Sequence, residues 1–482
     1  MEPSGRRQVD RFKLKPQACA DGLLKGYYGL DRINSVAMRD RSAVFSNLIH
    51  HVDEDNLMQA FRGLDGSKAV GIDQVTKSQY ARNLLANIAS LSDQIRGGGW
   101  RPRPARQVMI PKPSGGTRPL AVGCVEDKIV QSLVAKILEA IYEPRFHRHS
   151  FGFRAGRNAH QALGKVYNAI TKRGKHTVVV EMDIEKFFNN INHDLLMGFI
   201  EERISDQKLL RLIRRMLRNS ILSEDGTLIA NDTGTPQGSP VSPVLANIYL
   251  HHVLDEWFDQ NFIGKGEIVR YADDAVFVFD DLKTATDFKD QLHKRFAEYG
   301  LKMNEEKSGI VELTPRSDGI IGFVGFVLYW GKSAITKRTL KIRTAPERLQ
   351  RALQNFRDWI KLVRNRLPTA QIWKRTASRL RGHYNYYAVT TNHRQIYRYY
   401  SKCIGEVFKW LNRRSQKLSF TWKQFARKLM FNPLPKPPLG FELIDVTSEY
   451  GSEMQHKTKS RMRKSRKSGS ERSGGRQRPL FT

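Results

Sequence analysis

Cysteine is scarce in this chain: Cys19, Cys124 and Cys403 are the only three in 482 residues, and they stand far apart. They make no CxxC pair, which excludes a disulfide framework, argues against a structural zinc site and fits a reducing cytosol. Long apolar runs are missing as well. No uninterrupted stretch approaches the length of a membrane span, and the first residues hold no apolar signal-peptide core. Acid is in deficit: 81 Lys and Arg face 48 Asp and Glu, a formal charge of +33 with a pI near 10.1. Such an excess implies a polyanionic partner, gripped through many salt-sensitive contacts.

Two acidic sites stand out by what surrounds them. Tyr271-Ala272-Asp273-Asp274 interrupts two apolar runs, Glu267-Ile268-Val269-Arg270 before it and Ala275-Val276-Phe277-Val278-Phe279 after it. β-Branched and aromatic residues flanking a tight acidic break read as a hairpin with adjacent carboxylates at its tip. Upstream, Val178-Val179-Val180-Glu181-Met182-Asp183 reads as a further strand that ends in Asp. Three carboxylates on rigid strands can hold two Mg²⁺ ions, which activate a 3′-hydroxyl and neutralise a departing pyrophosphate. An acidic pair alone reads first as a solvated hairpin tip. The segments around it decide.

Those segments occur in a telling order. They are Gln107-Val108-Met109-Ile110-Pro111-Lys112-Pro113 with Gly115-Gly116-Thr117-Arg118-Pro119-Leu120, then His149-Ser150-Phe151-Gly152-Phe153-Arg154-Ala155-Gly156-Arg157. Thr235-Pro236-Gln237-Gly238-Ser239-Pro240-Val241-Ser242-Pro243 follows, then Asn304-Glu305-Glu306-Lys307-Ser308 and Gly322-Phe323-Val324-Gly325-Phe326. Leu380-Arg381-Gly382-His383-Tyr384-Asn385-Tyr386-Tyr387 comes last. From about Phe45 to about Gly440 the chain resembles the group II intron-encoded reverse transcriptase/maturase family. The resemblance implies an α+β right-hand polymerase, with fingers, an antiparallel palm sheet and a helical thumb or X domain. It implies a form without the HNH nuclease, whose paired cysteines are absent.

By that resemblance Asp183, Asp273 and Asp274 are the catalytic metal ligands for two Mg²⁺ ions, with the backbone carbonyl of Ile184 beside them. Lys112 and Arg118 are expected on the triphosphate, since a point charge and a forked donor both suit phosphate oxygens. Lys307 is expected near the same phosphates. Phe188, five residues after Asp183, stands where polymerases of deoxynucleotides place a ring that collides with a ribose 2′-hydroxyl. Phe187 beside it is then core. Gln237 and Gly238 lie in a loop where a small residue permits close approach of template and nucleotide. His147 and His149 have no further ligands at suitable spacing and are assigned to RNA contact or packing.

Four zones follow: residues 1–95 a basic, partly helical extension, 96–332 fingers and palm, 333–440 a helical thumb, 441–482 a basic tail. Phe45–Ile49 and Leu57–Phe61 read as helical, and Lys68–Asp73 as a Gly-containing turn. Thr344-Ala345-Pro346-Glu347 has the form of a capping box. Leu349, Leu353, Phe356, Ile360 and Val363 then recur at helical spacing as one apolar face. Arg348, Arg351, Arg357, Lys361 and Arg364 lie opposite, either solvated or tracking a duplex. Arg379, Arg381, Tyr384, Tyr386 and Arg398 join aromatics to Arg, a pairing that suits unpaired bases and RNA backbone. The first residues (Arg6, Arg7, Arg11, Lys13, Lys15) are basic, and Gly451–Thr482 carries ten Lys or Arg against two Glu. Such tails cannot bury a core; they either stay solvated or bind RNA.

The expected activity is RNA-directed DNA synthesis: a DNA primer extended with dNTPs on an RNA template. The expected setting is a bacterial cytoplasmic ribonucleoprotein with a structured group II intron RNA, whose splicing and mobility the protein assists. Two other readings stay open: a host-adopted enzyme of the same lineage in antiphage defence or spacer acquisition, and a non-enzymatic RNA-binding splicing factor.

Overall fold

The computed structural model describes residues 24–111, 116–332, 338–414 and 420–438. Cys19, Lys112, the basic N-terminal residues from Arg6 to Lys15 and the tail Gly451–Thr482 lie outside them. The architecture is α+β, in two compact units. One comprises Met1–Asn158, Val180–Phe277 and Leu282–Ile310; the other comprises Ala159–Val179, Val278–Asp281 and Val311–Thr482. Among the described residues no helix is long and apolar enough to cross a membrane.

The first unit is built around the helix Val125–Tyr142, most of which is buried, with Lys128, Ser132, Lys136 and Glu139 along its partly exposed side. Helices Leu30–Arg39 and Glu54–Gly63 pack on it. The second of these contains the expected helical run Leu57–Phe61, and the Asp53 side chain caps it by accepting from Asn56 N. Phe45–Leu48 is not helical. Phe45 bridges Ile204 instead, donating to Arg203 O (2.8 Å) and accepting from Ser205 N (2.9 Å). The helical spacing there was misleading because a distant strand-like segment satisfies this backbone.

Strands β1 (Ala105–Pro111) and β2 (Thr117–Val122) pair antiparallel in the register Arg106↔Val122 to Pro111↔Thr117. β3 (Val178–Met182) belongs to a separate sheet. β4 (Ile221–Leu222) and β5 (Leu228–Ile229) complete the first sheet in the order β2-β1-β4-β5. β6 (Gly266–Tyr271) and β7 (Asp274–Phe279) form the expected hairpin, and with β8 (Gly309–Glu312) they give the order β6-β7-β3-β8.

In the second unit β9 (Ile320–Phe323), β10 (Phe326–Gly331) and β11 (Thr339–Thr344) form an antiparallel sheet. The helices Pro346–Val363, Thr369–Tyr387, His393–Leu411 and Trp422–Phe431 follow. Their core holds Leu349, Phe356, Ile360 and Val363, with Leu353 packed against it. That is the expected apolar face. The capping box at Thr344 does not form. Thr344 ends β11 and is buried, donating from its backbone to Asn392 Oδ1 (2.9 Å) while its Oγ1 accepts from Asn392 Nδ2 (2.7 Å). Helix start is left to Pro346 at the first position, which needs no donor partner.

Candidate active site

β3 is buried at every position but Glu181, so it is an interior strand that delivers Asp183 from a fixed backbone. The chain just beyond is held along the 302–304 segment. Ile184 bridges Met303, Glu185 N donates to Lys302 O (2.9 Å), and Asn304 N donates to Asp183 O (2.9 Å). Asp183 N donates to Ser308 Oγ at 3.1 Å. Its Oδ2 accepts from Asn304 Nδ2 and from Lys307 Nζ, each at 3.1 Å.

The turn between β6 and β7 is a strained one held from below. Ala272 has φ +59° and is buried. Its carbonyl accepts from Arg270 Nη1 (2.9 Å), and the same guanidinium reaches Asn247 Oδ1 (3.0 Å) and both Asp255 oxygens (2.8 and 2.6 Å). Arg270 and Asp255 are fully buried. Burial alone would raise the Asp255 carboxyl, but Arg270 overrides it and holds the group well below the usual carboxylate range. On the other side, Ser150 bridges Arg270, and Phe151 N donates to Arg270 O at 2.8 Å. A Cβ on Gly152 would stand 2.2 Å from Ala272 N. Only glycine lets that loop lie against the acidic turn.

The carboxylates interact strongly. Asp273 is pushed above the ordinary Asp value by burial first and the Asp183 charge second, against the pull of Arg118 and Lys307. Asp274 is pushed to about 7 by burial, then by Asp273 and Asp183, with a hydrogen bond to Asp183. Its side chain keeps open surface, so water screens part of the burial penalty and like-charge crowding is the firmer cause. Among the described residues no three His, Cys, Asp or Glu side chains already have a metal-site arrangement. Asp183 is paired with Lys307 and Asn304 instead. The donor set nonetheless fits a hard divalent cation: it offers only oxygen, and its own crowding suppresses ionisation that a cation would restore.

A cleft of about 240 Å³ is lined by Gln107, Pro119–Ala121, Phe188, Asn189 and Thr233–Gln237 among others. Phe187 is buried and Phe188 half-buried on its wall. The loop at Gln237 is tied at both ends: Ala121 N donates to Gln237 O (2.8 Å), and Thr235 N to Phe188 O (2.7 Å). Gln237 Nε2 donates to Asn189 Oδ1 at 3.2 Å. Gly238, at φ +107°, brings the loop so close that a Cβ would lie 2.9 Å from Ala121 O. Arg118 is exposed on β2 and near enough to bias Asp273. Lys112 is outside the described residues. His147 packs inside this unit, its ring 5.3 Å from that of His149 and its Nε2 3.4 Å from Asp259.

The helical unit carries the remaining candidates. Arg379, Arg381 and Arg398 are exposed, Arg379 lying over the Trp359 ring at 4.4 Å. Tyr384 is a correction. It is buried in the helical core and its hydroxyl donates to Pro435 O (3.1 Å), so its ring has no face free for a base. Tyr386 keeps one exposed side, while its ring stacks on Phe326 and its hydroxyl donates to Val324 O (2.8 Å). Residue reading missed Arg270, Asp255, Asn247, Asn304 and Ser308. Arg270 alone was legible, as a cation inside an apolar strand that had to find a buried acid.

A family model for reverse transcriptase (RNA-dependent DNA polymerase) matches residues 110–337. Protein YkfC of Escherichia coli is 30% identical over 342 residues, 64% of this chain and 85% of that protein. An uncharacterized 91 kDa protein in cob intron of Schizosaccharomyces pombe is 44% identical over 170 residues, 35% of this chain and 20% of that one. Group II intron-encoded protein LtrA of Lactococcus lactis subsp. cremoris is 34% identical over 229 residues, 46% of this chain and 37% of LtrA. The chain thus spans a fifth of the yeast relative and little over a third of LtrA. With a reverse transcriptase domain of this geometry, the chain belongs to the group II intron reverse transcriptase/maturase family.

Proposed function

We propose that this protein is an RNA-directed DNA polymerase that also binds a structured group II intron RNA and assists its splicing and mobility. One observation carries the polymerase reading: β3 and β7 are neighbours in one sheet, Asp183 directly follows the first, and Asp273 and Asp274 stand at the start of the second. Asp183, Asp273, Asp274 and the Ile184 carbonyl would hold two Mg²⁺ ions, which when bound activate the primer 3′-oxygen and neutralise the phosphates. Arg118 and Lys307 supply further positive charge to the triphosphate, and the Ala272 turn keeps the carboxylates fixed while the nucleotide is positioned. Phe188 bars the ribose 2′-hydroxyl, and Gln237 and Gly238 bring the loop against the template–nucleotide pair.

The substrates are a DNA primer, an RNA template and dNTPs, and the setting is a cytoplasmic ribonucleoprotein. The first expected outcome is that Asp273→Ala or Asp183→Ala abolishes primer extension with Mg²⁺ and dNTPs, while RNA affinity stays within about twofold. Robust extension by either variant removes the two-ion assignment.

A further inference from the structure

The loop that grips the catalytic turn carries an unexplained cost. Phe153 sits at φ +58°, in the left-handed region where a bulky aromatic residue is an outlier. Core burial does not offset it, because 51% of the residue remains exposed. The backbone on both sides is over-determined. Asn247 Nδ2 donates to Gly152 O (2.9 Å), and Arg154 fastens the following position to Glu143, His147 O and Ser150 O. The chain thus forces Phe153 into this conformation and keeps the ring at the surface.

That ring meets one functional group. It stands edge-on to Phe188, with centroids 6.2 Å apart and planes at 77°. Phe187 touches Phe188 from elsewhere at 5.5 Å and 61°, and is itself buried against Tyr249. Phe188 is therefore held between an immobile core ring and a strained surface ring. Strain retained at an exposed position beside an active site is a sign of function rather than of folding.

We infer that Phe153 is a positioning residue for sugar selection: its ring pins Phe188 in the orientation that excludes a 2′-hydroxyl. This rests on the reading of Phe188 as the sugar gate. Without the Phe153 ring, Phe188 swings toward the vacated surface and the cleft admits a ribonucleotide.

The test compares Phe153→Gly, Phe153→Ala, Phe153→Tyr and Phe188→Ala by the ratio of kcat/KM for dNTP over rNTP, alongside thermal unfolding. Loss of the ring in Phe153→Gly and Phe153→Ala lowers the ratio by roughly 3- to 10-fold, the worth of an edge-to-face pair. The change appears mainly as a lower KM for the ribonucleotide. Phe153→Tyr restores the wild-type ratio. Glycine relieves the positive φ that alanine keeps, so Phe153→Gly unfolds at a temperature no lower than Phe153→Ala. Selectivity tracks the ring and not the stability. An unchanged ratio in both ring-less variants, with Phe188→Ala relaxed, overturns this inference and leaves the gate standing. An unchanged ratio in Phe188→Ala overturns the gate itself. Selectivity lost only in the less stable of the two ring-less variants also overturns it, by assigning Phe153 to folding.

Discussion

A single buried guanidinium governs the turn at Asp273 and Asp274. Arg270 neutralises Asp255, orients Asn247 and holds the Ala272 carbonyl, all without solvent. Removing one member of a buried pair leaves an uncompensated charge, whereas replacing both by apolar groups of similar volume costs far less. Arg270→Met is therefore expected to lower unfolding free energy by about 3–5 kcal/mol. Arg270→Met with Asp255→Leu should recover much of that loss in urea unfolding, yet stay catalytically impaired, because the Ala272 carbonyl has lost its donor. Single and double variants of equal stability would show that the pair is solvated after all. At this scale the placement of Asp183, Asp273 and Asp274 at strand ends was readable from the apolar runs that flank them. The support of their turn was not, since Asp255 and Asn247 lie 15 and 23 residues from Arg270 in the chain.

At the scale of the element, the helix Thr369–Tyr387 shows how one motif serves two ends. Its periodicity places Ile372, Trp373, Thr376, Leu380, His383 and Tyr384 on the buried side, leaving Arg379 and Arg381 outside. His383 stacks on Tyr399 at 3.6 Å and lies 4.8 Å from the Tyr387 ring. Burial pushes its imidazole down to about 4 from the ordinary 6.5. The folded state thus binds fewer protons than the unfolded one between those values. Stability from the neutral ring is complete above pH 6.5 and is lost as pH falls toward 4. Wild type should lose on the order of 2 kcal/mol more than His383→Phe between pH 7.5 and 5, by chemical unfolding of both proteins. Parallel pH profiles would place His383 in contact with water. The same helix explains why Tyr384 misleads on composition alone: an aromatic interleaved with Arg looks like a base-stacking residue until its face is known.

For the whole molecule, charge dominates. A formal +33 over 482 residues makes binding to a polyanion salt-dependent whatever the fold. Arg379, Arg381 and Arg398 are exposed on the helical unit, where they can meet phosphate. Replacing the three together by Gln should weaken binding to a structured intron RNA and reduce the slope of log K against log salt by about 2. Splicing assistance at low Mg²⁺ should fall with it, while extension of a short primer on a generic template persists. An unchanged salt slope in filter binding would move the RNA surface elsewhere. Asp273→Ala should still aid splicing, because folding an RNA needs no nucleotide chemistry.

The sequence by itself determined the charge, the hairpin at Asp273, the strand that ends at Asp183 and the apolar face from Leu349 to Val363. Each rests on a local rule: side-chain chemistry, alternation along a strand, or helical spacing. Tertiary structure alone decided which partners complete them. It bound Asp183 to Asn304 and Lys307, set Gly152 against Ala272, turned Phe45 into a bridge to Ile204, and gave Thr344 to Asn392 rather than to a helix cap. These contacts join positions far apart in the chain, and close packing fixes them through distances that no local pattern records.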